Sequence, residues 1–194
     1  LCLMDIHLPL PVKELLITLE KNNFEGFVVG GCVRDSLLAR EPKDWDITTN
    51  ALPEEIQTLF PDSFYENTFG TVSVKVAPFL AFGDPAREHD IIEITTYRSE
   101  SDYTDGRHPS QVTFEDTLTA DLSRRDFTIN ALAYGHVNGA WKLVDPFGGE
   151  ADLQNKILRT VGDASERFGE DALRLMRGVR LLTELRTTPK PVND

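Results

Sequence analysis

The sequence predicts an α+β protein in which short strands and flanking helices interleave over residues 1–149, followed by a helical segment over residues 150–194. Three observations predict it. Apolar runs of strand length alternate with stretches of helical apolar spacing in the first part, glycine and proline punctuate the junctions, and after Glu150 only helical spacing remains. At 194 residues the chain has room for one sizeable core, or for one domain with a small appended element.

Residues 11–22 carry apolar side chains at helical spacing behind Pro11, and predict an amphipathic helix. Phe27, Val28 and Val29 read as a short buried strand that runs into Gly30-Gly31 and a helix over residues 33–38. Trp45 to Thr49 is the next strand, and Pro53 with Glu54 and Glu55 forms the first turn of a helix ending before Pro61. Strands follow at residues 71–76 and 90–97, with an irregular loop over residues 78–89 between them. A second loop, residues 98–111, is almost wholly polar, and residues 114–133 read as helical up to a turn at residues 145–149. Short helices then lead into a longer one over residues 170–185.

Composition bounds the function. An apolar fraction of 40% with 27% charged residues is ordinary for a globular protein, and no apolar run has the length of a membrane span. Cys2 and Cys32 make neither a disulfide framework nor a metal-ligand spacing, and no secretory leader is evident, so a reducing cytoplasm is expected. Nothing implies a protein partner. The net charge of −12 argues against a polyanionic partner, but it is uneven. Residues 1–119 hold 9 Lys and Arg against 21 Asp and Glu, whereas residues 120–194 hold 11 of each. That suits a carboxylate metal site followed by an anion-contacting segment, and equally an acidic solvated surface.

In Asp44-Trp45-Asp46, at a strand start, residues two apart point to one face. Two such carboxylates repel and are stable together when a cation lies between them; an all-oxygen site suits Mg²⁺ or Mn²⁺. Alone, the pattern is also that of a common solvated turn. Glu93 lies in Asp-Ile-Ile-Glu-Ile-Thr-Thr-Tyr, read as a buried central strand in which an acid needs a partner: a metal shared with the aspartates, or an arginine such as Arg98 or Arg125. Three carboxylates on neighbouring strands would furnish a two-metal phosphoryl-transfer site. Gly30-Gly31, between strand and helix, lets backbone approach an anion, with Arg34 one turn on; a simple tight turn reads the same way. Neither a P-loop nor a dinucleotide fingerprint is present.

Val29-Gly30-Gly31-Cys32-Val33-Arg34-Asp35, Asp44-Trp45-Asp46-Ile47, residues 124–131 (Arg-Arg-Asp-Phe-Thr-Ile-Asn-Ala), residues 145–149 (Asp-Pro-Phe-Gly-Gly) and Glu170-Asp171-Ala172-Leu173-Arg174 occur in that order. Together they resemble the motifs of the class II CCA-adding tRNA nucleotidyltransferase and bacterial poly(A) polymerase family. The resemblance runs from about residue 24 to about residue 185. It implies a DNA-polymerase-β-like nucleotidyltransferase head, a mixed β-sheet with flanking helices, over residues 1–149, and the start of a truncated helical neck over residues 150–194. It implies Asp44 and Asp46 as catalytic metal ligands with Glu93 as third acid, and Gly31 and Arg34 as triphosphate contacts. Arg125 is implied as a further nucleotide contact, and Asp171, Arg174, Arg177 and Arg180 as a helix that reads the incoming base. The activity implied is addition of CMP and AMP, from CTP and ATP with Mg²⁺, to the 3′ end of tRNA.

On a helix of about 100° per residue, Asp171, Arg174, Arg177 and Arg180 step round one side, and Ala172, Leu175, Met176, Val179 and Leu182 gather on the other. The apolar side is expected to pack and the charged side to work. An aspartate and an arginine together can satisfy the Watson–Crick edges of cytosine and adenine; a solvated arginine face gives the same periodicity. The stretch Thr68-Phe69-Gly70-Thr71-Val72 is similar to the CCA-adding pattern, and residues 98–111 are similar to the flexible loop of full CCA-adding members. Poly(A) polymerases and A-adding or CC-adding relatives remain alternatives, as does a catalytically impaired nucleotide-binding module, against which the retained acids weigh. A small-molecule nucleotidyltransferase would share the glycine and Asp-x-Asp elements but not the Arg-Arg-Asp and Glu-Asp-x-x-Arg motifs.

Overall fold

The computed structural model describes residues 6–65, 69–79, 88–101, 111–185 and 188–189. Its strands are β1 (Gly26–Val29), β2 (Asp46–Thr49), β3 (Ser63–Tyr65), β4 (Thr71–Val76), β5 (Asp90–Thr96), β6 (Arg98–Ser101), β7 (Gln111–Phe114), β8 (Ala133–Val137) and β9 (Ala140–Val144), with β10 (Ile157–Leu158) pairing parallel to β11 (Thr188–Pro189) inside the segment expected to be helical. The helices are α1 (Leu10–Lys21), α2 (Gly31–Leu37), α3 (Pro53–Leu59), α4 (Leu118–Ser123), α5 (Gly149–Gln154), α6 (Ala164–Glu170) and α7 (Leu173–Leu185). Seven strands form a sheet in the order β3-β4-β5-β2-β1-β8-β9, antiparallel except for the parallel β2–β5 pair, so the mixed sheet of an α+β fold is present. Strands β6 and β7 pair apart from it as an antiparallel ribbon.

Strand alternation sorts the side chains of the sheet into two layers. Val28, Ile47, Val72, Val74, Ile92 and Ile94 share one core with Val12, Leu15, Leu16 and Leu19 of α1, which packs on β1, and Ile56 of α3, which packs on β4 and β5. The opposite face is covered only in part: Phe27 and Val29 of β1 pack with Leu118 and Leu122 of α4, Tyr97 and Ala133. Beyond α4, at Asp46 and Glu93, that second face is exposed, and the cleft described below opens beside Asp46. A third cluster, Phe127, Ile129, Leu153, Leu158, Leu181 and Leu185, joins α5 and α7 to the end of the sheet.

Several expectations need correcting. Residues 98–101 and 111–114 are strands rather than loop, and residues 114–133 hold only α4 and a 3-10 turn at Thr128–Asn130 in place of a continuous helix. The β8–β9 hairpin was unforeseen although its turn, Asn138-Gly139 with φ of 51° and 81°, is a strong hairpin signal. The centre of the 98–111 loop, much of the 78–89 loop, Thr68 and Cys2 lie outside the described residues. Among the described residues no helix is long and apolar enough to cross a membrane.

Candidate active site

A cavity of about 670 Å³ lies over the open sheet face, and eight cationic against seven anionic side chains line it. A chain of net charge −12 therefore carries a cleft whose lining charges nearly balance. Average charge is a poor guide here, because attraction to an anion is set by groups within a Debye length of about 8–10 Å.

The acids come from the start of β2. Trp45 is buried at 4% exposure and Pro42 is also buried, while Asp44 and Asp46 are exposed. The alternation thus turns both carboxylates to the same side, and both line the cavity. Asp46 stands opposite Glu93 in the parallel β2–β5 register. The protein packed around Asp46 pushes its pKa up to about 6, with repulsion from Asp44 and Glu93 adding to the rise and Arg125 opposing it. Glu93 departs from expectation: β5 alternates, and Glu93 is on its exposed side, without an ion pair to Arg98 or Arg125 among the described residues. It does not line the cavity, and reaches the site through repulsion of Asp46.

Among the described residues no three His, Cys, Asp or Glu are grouped to hold a metal by protein ligands alone. The donor set fits Mg²⁺ in its usual manner of binding, one or two carboxylates with the remaining positions left to water and substrate phosphates. The mutual repulsion of Asp44 and Asp46 is what a shared cation would relieve.

A pH dependence follows. A carboxylate whose native pKa lies above its unfolded value is destabilising while ionised. Raised from 3.8 to about 6, Asp46 lowers stability as pH rises through that window, with the loss complete above about 6. Thermal melts of Asp46→Asn against the parent chain should show the variant gaining at pH 7 and the gain vanishing near pH 4. Binding of a metal–nucleotide complex by the parent should fall as pH drops below 6. Parallel melting curves at all pH values would refute the placement of Asp46 among like charges.

The opposite wall is built from guanidinium groups. Gly30 adopts φ +83°, and a Cβ there would come within 3.0 Å of Arg125 Nη1, so glycine keeps the turn clear beneath that arginine. Arg34 donates from Nε and Nη2 to Asp35 at 2.9 and 3.0 Å and from Nη1 to Asn130 Oδ1 at 2.5 Å. With α2 only seven residues long, these side chains, more than its dipole, carry the positive charge beside Gly31. Arg125 is held by Asp121, which is fully buried and also accepts from Arg124 and from Thr48 Oγ1 on β2. Burial alone would raise the pKa of Asp121, but the Arg124 and Arg125 guanidinium groups hold it below the usual carboxylate value.

Helix α7 reverses the expected division of faces. Arg174, Gly178, Leu181 and Leu185 are its buried residues, whereas Leu175, Met176 and Val179 are 50%, 67% and 59% exposed. The reason is local. Gly178 lets Phe127 approach, a Cβ there lying only 3.1 Å from its ring, and Arg174 can bury because both of its Nη atoms meet acceptors. Its Nη1 donates to Glu170 Oε2 at 2.5 Å and to the Arg167 carbonyl, and its Nη2 to the Arg124 carbonyl. Asp171 precedes the helix and accepts the Leu173 N–H at 2.8 Å, as a capping residue does. Arg177 bridges Asp126 and Asp171 at 3.1 and 3.0 Å, and Arg180 reaches Glu184 at 3.6 Å. All four expected base-reading residues nonetheless line the same cavity as Asp44, Asp46, Gly31, Arg34 and Arg125.

Asp126 and Asn130 lie in a motif already singled out and yet were given no role. Asn130 accepts from Arg34 and donates to Asp126, which pairs with Arg177; a continuous polar chain thus joins the glycine turn to α7. The spacing of Asp121 to Arg124 and Arg125, i,i+3 and i,i+4 next to a helix, was the available signal for that hub.

Comparison with known proteins adds to this geometry. A family model described as the poly A polymerase head domain matches residues 26–159. The CCA-adding enzyme of Geobacillus sp. (strain WCH70) is 45% identical over 172 residues, 88% of this chain and 39% of its own length. That of Listeria monocytogenes serotype 4b (strain CLIP80459) is 45% identical over 177 residues, covering 91% and 41%. This chain thus spans about two fifths of the length of these curated relatives. Among solved structures, the Bacillus stearothermophilus CCA-adding enzyme in complex with CTP superposes with a TM-score of 0.75 at 36% identity, over 95% of this chain and 42% of that one. The Thermotoga maritima CCA-adding enzyme complexed with tRNA superposes with a TM-score of 0.69 at 26% identity, over 93% and 38%.

Proposed function

The chain belongs to the poly(A) polymerase head-domain family, and on that premise we propose that it carries the catalytic head of a CCA-adding tRNA nucleotidyltransferase. Residues 1–149 are the head and residues 150–194 open a helical neck. The substrates are CTP, ATP and the 3′ end of tRNA. The observation that carries the reading is the meeting of Asp44 and Asp46 with Gly31, Arg34, Arg125 and the arginines of α7 in one cavity. Poly(A) addition is the second reading; the CCA-adding relatives, 45% identical to this chain, favour the first. A cytoplasmic site of action accords with a tRNA substrate.

In the proposed reaction the RNA 3′-hydroxyl gives up its proton to solvent and its oxygen bonds to the nucleotide α-phosphorus. The bond from that phosphorus to the bridging oxygen breaks, and pyrophosphate leaves with the displaced charge. Asp44 and Asp46 would hold Mg²⁺ or Mn²⁺, which when bound lowers the pKa of the hydroxyl and neutralises developing charge on the phosphates. Glu93, in register with Asp46, is the third acid, and its charge adds to the demand for a cation at Asp46. Arg34 and Arg125, fixed by Asn130 and Asp121, would draw the triphosphate against Gly31. Asp171 with Arg174 and Arg177 would test the Watson–Crick edge of the base, Arg180 extending the face outward.

Incubation of the chain with labelled CTP or ATP and a tRNA lacking its end, counting products nucleotide by nucleotide, tests this reading. CCA on the product supports it; a run of A alone moves the assignment to poly(A) addition. Within that assay, Arg174→Ala should weaken discrimination of CTP against UTP by about 1–3 kcal/mol, the worth of a base contact. Because it also strips Glu170 and the Arg124 carbonyl of a buried donor, Tm should fall as well, by roughly 2–8 °C. A drop in Tm with CTP preference intact would make Arg174 a clamp between α7 and the head and nothing more.

A further inference from the structure

We infer that Lys43 marks the seat of the acceptor RNA, its ammonium contacting the terminal phosphodiester beside the attacking hydroxyl; this rests on the nucleotidyltransferase reading above. Seven arginines line the cavity, and each lies within 4 Å of a carboxylate. Lys43 is the eighth lining cation and, among the described residues, the one with no carboxylate at that distance. The arginine charges are thus already partnered within the protein. That of Lys43 meets no carboxylate among the described residues and is available to a ligand.

Its backbone is well anchored. Pro42 and Trp45 are buried on either side, so Lys43 and Asp44 are carried together on a short exposed segment pinned at both ends. An ammonium on a flexible four-carbon stem is a point charge with three donors. It suits a single phosphodiester oxygen, whereas the planar, doubly held guanidinium groups of Arg34 and Arg125 suit a polyphosphate. Transfer brings two anions together, the triphosphate and the phosphate one sugar away from the attacking 3′-hydroxyl. That hydroxyl must reach the Asp44–Asp46 pair, and the residue next to Asp44 is where its phosphate arrives. Without a cation there, the acceptor end would meet the acidic pair with its charge uncompensated.

The test uses this chain, its Lys43→Ala and Lys43→Arg variants, and a tRNA minihelix lacking the terminal nucleotides. RNA affinity is titrated over a range of KCl concentrations, and single-turnover extension is followed at saturating CTP. Lys43→Ala should weaken RNA binding roughly 3–10-fold and lower the slope of log affinity against log salt by about 0.7–0.9, the signature of one lost phosphate contact. KM for CTP and Tm should not move, and Lys43→Arg should recover most of the loss. An unchanged RNA affinity and salt slope overturns the inference, as does a shift that falls on CTP, which would assign Lys43 to the triphosphate. A parent chain that neither binds nor extends the minihelix would bring down the nucleotidyltransferase reading itself, whereas extension by the parent with an indifferent Lys43→Ala brings down only the inference.

Discussion

Replacing Asp44 or Asp46 by alanine is expected to abolish nucleotide transfer, with kcat down on the order of 10³-fold or more, because in the proposed reaction several kcal/mol of charge stabilisation would come from a cation held by this pair. The fold should survive. Both carboxylates are exposed, and the raised pKa of Asp46 records that its ionised form is held against desolvation and the charges of Asp44 and Glu93. Removing either acid relieves that repulsion, so Tm at pH 7 should hold or rise while activity vanishes. Single-turnover CMP transfer alongside thermal melts checks both halves. Parental turnover in either variant would remove the pair from the chemistry, and a collapse in Tm would mean that the pair is structural.

Asp121→Ala is expected to have the largest effect on stability. This carboxylate is fully buried and answers Arg124, Arg125 and the Thr48 hydroxyl at once, so its removal strips Arg125 of its carboxylate partner and leaves Arg124 with Glu100 as its carboxylate partner. Breaking such a pair costs about 3–5 kcal/mol when both partners are buried. Arg124 and Arg125 retain 16% and 20% exposure, which places the expectation at the lower end, about 3 kcal/mol, or roughly 6–12 °C in Tm. The native pKa of Asp121 is depressed, so its contribution is present above the unfolded value near 4 and is lost as pH falls through the lower native one. The gap between variant and parent should therefore narrow in acid. A gap independent of pH would assign the loss to packing alone. Nucleotide affinity should fall with it, since Arg125 loses its anchor; in an Arg125→Ala background Asp121→Ala should add little further loss of affinity.

The residues of the candidate site were legible in the sequence because their signals are local. Asp44 and Asp46 face one way because residues two apart do so in extended chain, Gly30-Gly31 was marked because a glycine pair between strand and helix lets backbone approach an anion, and the order of five motifs named the family before any contact was known. The strands β1, β2, β4 and β5, which carry or flank the acids, were recognisable as short β-branched or apolar runs. Tertiary structure decided what local pattern leaves open. Glu93 has the same neighbours in sequence whether its strand is covered on one side or two; α4 covers β2 at Thr48, and beyond that cover Glu93 is left exposed. The helical moment of α7 pointed its apolar side inward, yet Gly178 and the acceptors around Arg174 turned the arginine side to the head. Periodicity reports which residues share a face. Which face is buried depends on what the rest of the chain brings to it, and there three well-placed oxygens can outweigh the desolvation of a guanidinium while a row of leucine and methionine stays exposed.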